Sequence, residues 1–253
     1  MEWSVYDKQV LPVVFLYIVL ASLALGLLLR RCSPRVRAIP MALVALALLF
    51  IEIVKQRWNL LGEFTYYNLP LHYCSMFIPV YLLAELGGVR LARIFRPIGV
   101  YMSFVVTVGM YLLPNAIIGS GCELFGQTFK ATHTMLMHHF VVAYLILSIA
   151  LRLYRPRLRD ALYAGAVGIA YVALALPLAY RFDANYCNFL ESVVPAIEYI
   201  RTEFGQVVYT VFVSVALTFG MALGSSLYYL LYHAAEMPVL LVKRLAWRKE
   251  TKK

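Results

Sequence analysis

Long apolar segments alternate with short polar connections along the whole chain of 253 residues. The hydrocarbon core of a bilayer is about 30 Å thick, and an α-helix needs about 20 mostly apolar residues to cross it. Seven segments meet this requirement and no repeat or soluble domain interrupts them, so we predict a single membrane domain over residues 1–253. The predicted helices cover residues 10–29, 38–57, 69–89, 96–118, 131–151, 161–180 and 207–231.

Composition indicates the same class of protein. Hydrophobic residues make up 62% of the chain and charged residues 14%, whereas a soluble domain carries about 25% charged residues. The formal net charge of +10 raises nucleic acid as a ligand. However, the basic residues stand in clusters between apolar runs rather than in a stripe interleaved with exposed aromatic residues. We therefore predict an all-α, polytopic membrane bundle that binds no nucleic acid.

The basic clusters also predict how the bundle is oriented. With seven crossings, the connections at 30–37, 90–96 and 152–159 and the tail at 243–253 lie on one side, while the other side carries mainly acidic residues. Lys and Arg concentrate in the cytoplasmic connections of membrane proteins. The N-terminus is therefore predicted outside and the basic tail in the cytoplasm, with the first apolar run retained as a helix rather than cleaved as a signal.

The longest connection, at 181–206, is predicted to lie outside. Apolar residues follow a near-helical spacing from Phe189 to Ile200, with charged residues between them. This pattern is typical of a short amphipathic helix at the membrane interface, which acts either as a lid over the outer mouth or only as packing. Cys122 and Cys187 both fall in outer connections, where an oxidising environment permits a disulfide between them.

Polar residues at membrane depth gather in the outer halves of the predicted helices. An ionisable group inside the bilayer costs about 2.5–3.5 kcal/mol, so such groups indicate function by default. Because a helix rises about 1.5 Å per residue, the depth of each residue can be compared, and the set predicts one pocket that opens outward. Its members are Glu52, His72, Cys74, Asn115, His133 and His138.

Angles around a helix restrict which side chains share a face. His72 and Cys74 are about 200° apart on a regular helix, so both face one pocket only if Pro70 or Pro79 distorts that helix. Thr134 lies four residues before His138 and shares its helix face. No spacing typical of a metal site occurs, and we expect neither a metal nor another cofactor.

Each candidate also has a purely structural interpretation. Cys74 fits a small core residue, as most buried free cysteines do. His138 fits an interhelical hydrogen bond to a carbonyl group. Glu52 fits the partner of a histidine whose role is only to satisfy a buried charge. The sequence leaves these alternatives open beside the functional ones.

A resemblance to a known family comes from three short motifs. Residues 69–75, with the sequence LPLHYCS, resemble the Pro-Leu-His-x-Cys signature of the bacterial YwaF-type integral membrane proteins. The histidine-bearing segment 132–139 and the pair Asn185 and Tyr186 are similar to further features of that family. The resemblance implies a multi-pass protein of the bacterial plasma membrane. It also implies a relationship to eukaryotic membrane ether-phospholipid acyltransferases, which it associates with a cysteine and a histidine within the membrane. Those enzymes are in turn similar in architecture to intramembrane lipid hydrolases that use a threonine and a histidine.

The chain departs from the eukaryotic pattern in one respect. There the cysteine directly precedes the histidine, a position that is Leu71 in this sequence, whereas Cys74 lies three residues further on. Cys74 is then nearly on the same helix face but about one turn deeper. The predicted nucleophile is therefore displaced from the family position.

The residues and the resemblance together predict an acyltransferase or lipid hydrolase that acts on membrane phospholipids. Cysteine activated by an adjacent imidazole is a recognised solution for acyl transfer, with Cys74 as nucleophile and His138 as base. Glu52 is expected to orient the imidazole, and the Asn115 amide or the Tyr186 hydroxyl to stabilise an oxyanion. The remaining candidates are assigned to substrate binding and support: His72, His133, Thr134 and Asn185.

The same polar cluster also fits a different class of protein, one that binds or transports a small polar solute. Against transport, the sequence lacks the paired discontinuous helices and repeated halves that transporters show. A retinal-type receptor is a third class, but the seventh predicted helix contains no lysine for a Schiff base. The sequence gives no indication of the oligomeric state.

Overall fold

The computed structural model describes residues 5–62, 64–113, 117–118 and 128–250, with side chains described from Val10 to Met237. All regular elements in this part of the chain are helical, as predicted. Six of the seven α-helices are long and apolar enough to cross a membrane; the exception is α3. The α-helices are α1 Val5–Leu29, α2 Pro34–Leu61, α3 Phe77–Glu85, α4 Gly88–Leu112, α5 Phe129–Ala150, α6 Asp160–Phe182 and α7 Pro195–Glu250.

The third predicted helix, 69–89, differs most from the structure. Only Phe77–Glu85 is α-helical, and at about 1.5 Å per residue it rises only about 13 Å. The residues before it form two short 3-10 turns, Tyr66–Asn68 and Tyr73–Met76, joined by extended backbone. Pro70 lies between these turns and has no N–H to donate to a helix. A hydropathy window sums apolar character and so does not detect this loss of helical hydrogen bonds.

The basic connections lie at one end of the bundle, which we call the basic end. The Cβ of Ala150 would come within 2.8 Å of a Cβ added to Gly26, which brings the end of α5 against the end of α1. The Arg37 guanidinium, in the first turns of α2, donates to the Leu151 carbonyl at 2.9 Å. The Tyr101 hydroxyl of α4 donates to the Arg157 carbonyl at 2.9 Å. These contacts bring the connections at 30–37 and 152–159 together. The common side of all four basic regions and their cytoplasmic location stay predictions.

Two close approaches fix α4 in the centre of the bundle. A Cβ on Gly99 would lie 3.1 Å from the Tyr81 ring, which stacks on Tyr144 at 3.6 Å between centroids. A Cβ on Gly224 of α7 would lie 2.6 Å from the Val105 side chain. Small residues at such points let helix backbones approach closely in membrane proteins. The absence of a side chain at Gly99 and Gly224 therefore sets how near α4 lies to α3, α5 and α7.

The long connection contains a short helix, but it begins at Pro195, and the first half of the predicted stretch from Phe189 to Ile200 is not helical. Residues 195–204 form the first part of α7, and Gly205, with φ of 83°, interrupts the helix before its long second part begins. A positive φ of this size favours glycine. The Glu198 carboxylate accepts from Ser192 N at 2.8 Å and also pairs with Arg201. Helix seven is thus longer than the predicted 207–231 and has a separate segment at its start.

Candidate functional site

A cavity of about 710 Å³ lies at the end of the bundle opposite the basic end. Its volume is in the range of about 300–1,000 Å³ that is typical of small-molecule sites. Among the predicted site residues, six line it: His72, Cys74, His133, Thr134, His138 and Asn185. We call it the histidine cavity, after His72, His133 and His138. That these residues form a functional site stays a prediction.

The irregular backbone before α3 explains how His72 and Cys74 both reach the cavity. A regular helix would turn them about 200° apart, but the segment is not a regular helix at this point. Pro79 lies in the first turn of α3, where proline is tolerated, so it does not cause the distortion. Pro70 lies inside the non-helical stretch and accounts for it. The expected depths of these two residues assumed a continuous helix, and that assumption was wrong.

Side chains from other helices form hydrogen bonds with the backbone of this segment, which has no continuous helical hydrogen bonding of its own. The Gln56 amide donates to the Asn68 carbonyl at 2.8 Å, and the Tyr171 hydroxyl donates to the Leu71 carbonyl at 2.9 Å. The Asn59 side chain accepts from Thr65 N at 3.1 Å and is 99% buried. Non-helical backbone at membrane depth requires such partners within the protein. These bonds keep the segment fixed without a helical ladder.

His138 has a defined tautomer. Its Nδ1 lies 2.8 Å from the Thr134 carbonyl, four residues earlier in α5. A carbonyl oxygen only accepts, so Nδ1 carries the proton and Nε2 carries the lone pair. Among the described residues, none hydrogen-bonds to Nε2. His138 is buried to 97%, and the bond to Thr134 fixes the orientation of its ring.

Glu52 has different partners from the one that the sequence suggested. Its carboxylate lies 3.4 Å from His133 Nε2, 2.9 Å from Lys55 Nζ and 2.7 Å from the Gln56 amide nitrogen. The contact to His133 is an ion-pair distance without good hydrogen-bond geometry, since both atoms lack a hydrogen bond. Glu52 therefore belongs to a buried network with Lys55 and His133, as its purely structural interpretation expects, and among the described residues no hydrogen bond or ion pair joins it to His138.

No hydrogen bond joins the Cys74 sulfur to a histidine nitrogen in the part of the chain that the structure describes. Cys74 has a free thiol and is half-buried. Both side chains line the same cavity, so the two residues face a common space without touching. In enzymes without substrate, catalytic contacts are often long and tighten in the complex.

Cys187 is a lining residue that the sequence did not assign to the pocket. Its thiol is free, and the predicted partner Cys122 lies outside the described residues, so the disulfide stays untested. Burial raises the pKa of the Cys187 thiol to about 12, and the neighbouring Cys74 acts in the same direction. The thiol is therefore protonated at neutral pH. The backbone of Cys187 is left-handed, with φ of 51°, a conformation that costs free energy in a residue other than glycine.

The loop around Cys187 is held by the two residues of the Asn-Tyr motif. The Asn185 side chain accepts from Leu190 N at 3.0 Å and donates to the Glu191 carbonyl at 3.0 Å. The Tyr186 hydroxyl donates to the Tyr66 carbonyl, and the side chain is fully buried. Tyr186 is thus committed to structure and does not offer its proton to an oxyanion. Asn115, the other predicted oxyanion donor, lies outside the described residues.

Two lysines give the histidine cavity a positive wall. Lys55 and Lys130 both line it, and Lys130 Nζ lies 4.6 Å from the centroid of the Tyr67 ring. No carboxylate appears among its described lining residues, although Glu52 pairs with Lys55 just behind the wall. Adjacent positive charge without a facing carboxylate favours an anionic group in the ligand. Nothing in the sequence pattern singled out Lys55 and Lys130.

Comparison with known proteins gives one match. A family model described as the TMEM164 family matches residues 5–224. This range includes α1 to α6 and the first thirty residues of α7. The matched range contains every residue of the histidine cavity. No curated protein matches the chain, and no solved structure does.

Proposed function

The chain belongs to the TMEM164 family of membrane proteins, and we propose that its histidine cavity performs acyl transfer on membrane phospholipids. One observation carries the proposal: Cys74 and His138 line one cavity inside a polytopic membrane protein, with the His138 lone pair left on Nε2. Cysteine is a competent acyl-transfer nucleophile once a base takes its proton. Burial otherwise keeps a thiol protonated and inert.

The proposed reaction has two balanced steps. His138 Nε2 takes the proton from the Cys74 sulfur, and the thiolate attacks the ester carbonyl carbon of a phospholipid. The new S–C bond forms as the ester C–O bond breaks, and His138 returns its proton to the leaving glycerol oxygen. A lysophospholipid hydroxyl, or water in hydrolysis, then attacks the thioester with His138 again as base and releases the Cys74 thiol.

The proposed reaction requires the Cys74 sulfur to come within hydrogen-bond reach of His138. Rotation of the Cys74 side chain between staggered rotamers moves the sulfur within the cavity that both residues line. Such rotations are far faster than enzyme turnover. His72 and Thr134 line the same cavity and are assigned to contacts with the lipid.

The lysine wall supports a phospholipid as substrate. Lys130 provides positive charge at the cavity for the phosphate, beside the ion pair of Lys55 with Glu52. Val106, Met137 and Leu217 provide apolar lining for an acyl chain. The ester bond of a phospholipid lies between its phosphate and its chains. A lipid whose phosphate contacts the lysines therefore presents its ester inside the cavity, where the cysteine and histidine are.

A second candidate is binding of a small anionic solute, favoured by the same two lysines. In that case the cavity releases its ligand unchanged, and Cys74 serves only as packing. The two candidates make different predictions for covalent chemistry. Only acyl transfer forms a thioester on the protein.

The deciding experiment measures acyl transfer by the purified protein in lipid nanodiscs. A phospholipid donor with an isotope-labelled acyl chain and an unlabelled lysophospholipid acceptor are supplied, and labelled products are quantified by mass spectrometry. Wild type is compared with Cys74→Ala and with a matched control, Cys32→Ala, whose thiol lies in the connection between α1 and α2. Transfer by wild type and Cys32→Ala, with none by Cys74→Ala, is the expected result. Equal transfer by all three proteins, or by none, contradicts the proposal.

A further inference from the structure

A second and larger cavity, of about 1650 Å³, lies between α1, α4, α5 and α7. The two cavities are on opposite faces of α4. Val105, Val106 and Gly109 face the histidine cavity. The stripe of Phe104, Thr107, Val108, Tyr111 and Leu112 faces the larger one, at the spacing of one helix face. The larger volume exceeds the range of about 300–1,000 Å³ of most small-ligand sites.

The larger cavity has charge at one end and apolar walls elsewhere. Arg30, Arg37, Arg152 and Arg155 line it at the basic end, against a single lining carboxylate, Glu236. We therefore call it the arginine cavity. Phe15, Leu23, Leu27, Leu145 and Ile146 are among the residues that line the rest. A ligand that matches this lining has an anionic head and long apolar tails.

Three buried polar atoms at this cavity have no hydrogen-bond partner among the described residues. They are Nε of Arg37, Oγ1 of Thr107 and the hydroxyl of Tyr111, each of which belongs to a lining residue. Buried polar groups without a partner are rare in proteins, and each needs an explanation. A ligand with acceptor oxygens would supply the partner. Arg37 is otherwise fixed by its bond to the Leu151 carbonyl, so its free Nε is held in place.

The unpartnered atoms lie at two different depths along the cavity. Arg37 lies in the first turns of α2 at the basic end, whereas Thr107 and Tyr111 lie in the last two turns of α4. Tyr111 packs on Phe15 at 5.0 Å between ring centroids, and Phe15 lies about 21 Å along α1 from its end at Leu29. The charged donor is therefore placed for an anionic head, and the two hydroxyls lie further along the cavity, beside its apolar walls.

The cavity also opens towards the surroundings of the bundle. Leu27, Leu112 and Leu231 line it, yet their side chains are more than half exposed. In a membrane protein, exposed leucines on spanning helices face lipid. Basic pockets between helices at the cytoplasmic side are a recurring binding site for anionic headgroups. In the connection at the rim, Arg152 has a left-handed backbone, φ 51°.

We propose that the arginine cavity binds an anionic glycerophospholipid taken from the leaflet at the basic end. The phosphate is placed against Arg37 and Arg152, and the chains lie along Phe15, Phe104 and Val108. The proposal is for binding alone and involves no reaction of the lipid. This site is independent of the proposed acyl transfer and stands if that proposal fails.

The test measures lipid binding to the full-length protein in detergent by native mass spectrometry. Phosphatidylglycerol and phosphatidylcholine of the same chain length are titrated separately. Wild type is expected to bind at least one phosphatidylglycerol about tenfold more tightly than phosphatidylcholine. Because each arginine near an anionic surface contributes roughly a fivefold increase in affinity, Arg37→Gln with Arg152→Gln is expected to remove most of this preference.

Two controls separate the cavity from basic charge in general and from the histidine cavity. Arg90→Gln with Arg93→Gln removes two exposed arginines that do not line the arginine cavity, and the preference is expected to persist. Lys55→Gln with Lys130→Gln changes only the histidine cavity and is expected to leave it unchanged. Equal affinity of wild type for the two lipids overturns the proposal, whether or not the variants fold. An equal loss in the Arg90 and Arg93 variant, or competition by inorganic phosphate alone at millimolar concentration, also overturns it.

Discussion

The two cavities share α4 as a wall but differ in how their remaining walls are made. The histidine cavity uses non-helical backbone, with the turns at 66–76 and the left-handed residues Cys187 and Asn188. The arginine cavity is walled mainly by the regular helices α1, α4, α5 and α7. Irregular backbone costs free energy and persists where surrounding structure determines it fully. The comparison associates fixed, irregular backbone with the candidate chemistry and smooth helical walls with a ligand that exchanges with the bilayer.

The charges of the two cavities differ in the same way. Histidines in the first stand beside an ion pair, Glu52 with Lys55, that is largely satisfied within the protein. Arginines in the second outnumber the lining carboxylate and leave a donor unpaired at Arg37. A site for proton transfer needs a base near neutrality. A site that only retains an anion needs an excess of fixed positive charge.

The largest effect that separates the cavities is expected from His138. His138→Gln removes the base and should lower acyl transfer by about 10²- to 10⁴-fold, measured with the labelled donor in nanodiscs. His139→Gln is the matched control, because His139 is the next residue and makes the same type of bond, to the Met135 carbonyl at 2.7 Å, but does not line the cavity. Comparable losses in both variants would show that α5 had been disturbed rather than a base removed.

A second large effect is expected in the reactivity of Cys187. Its raised pKa of about 12 compares with about 8.5 for an ordinary thiol. A raised pKa leaves fewer thiolates at a given pH, so at pH 8 maleimide labelling should be about 10³-fold slower than for an ordinary thiol. The rate should increase about tenfold per pH unit up to the pKa. The measurement compares two single-cysteine proteins that retain Cys187 or Cys32.

Equal labelling rates for the two single-cysteine proteins at pH 8 would mean that Cys187 is open to solvent. The left-handed loop that carries it would then not be fixed as described. The contrast between an irregular, rigid wall and a smooth, exchangeable one would lose its main support in this loop.

A smaller effect, on stability, is expected where α7 meets the shared wall. Gly224→Ala places a Cβ 2.6 Å from the Val105 side chain and should lower the free energy of unfolding by about 1–3 kcal/mol through overpacking. Gly220→Ala is the matched control, one turn earlier, where a Cβ meets nothing within 4 Å. Thermal unfolding in detergent measures both. A destabilised Gly220→Ala with an unchanged Gly224→Ala would place the close approach at the wrong turn.

The smallest effect is expected from Arg155. Its guanidinium pairs with Glu236 at 3.0 Å, but the two side chains are 64% and 33% exposed. An exposed pair contributes about 0–1 kcal/mol, so Arg155→Ala should change the midpoint of thermal unfolding by no more than a few degrees. A large loss of stability would mean that this arginine is structural and not free to contact a lipid.

The sequence predicted the class of the fold well and its third segment poorly. Apolar length and the positions of arginines suffice for an all-helical membrane bundle with its basic connections at one end. The turns at 66–76 depend instead on bonds from Asn59, Gln56 and Tyr171, the last a hundred residues away in sequence. A pattern of apolar positions carries no information on such distant partners. Pro70 was a local signal of this irregular backbone, and the sequence indicated it as a candidate cause of a distorted helix.

The sequence indicated residues that line the cavity, but it did not indicate which of them are partners. Cys74, His133 and His138 do line one cavity, because each lies near the same end of its own segment. The partner of Glu52 depends on how α2 and α5 are rotated about their axes, which spacing within one helix cannot give. The arginine cavity did have a signal in the sequence: Phe104, Thr107, Val108 and Tyr111 follow one helix face. That stripe was not separated from the general apolar character of the segment.

Gly205 has a consequence for how this chain can vary over evolution. In an unbroken helix, inserting one residue rotates everything beyond it by about 100° relative to everything before it. Here the interruption at Gly205 allows residues 195–204 to gain or lose a residue while the long helix that follows keeps its faces towards the bundle. The interfacial segment and the membrane-crossing segment can therefore change in length independently, although both belong to α7.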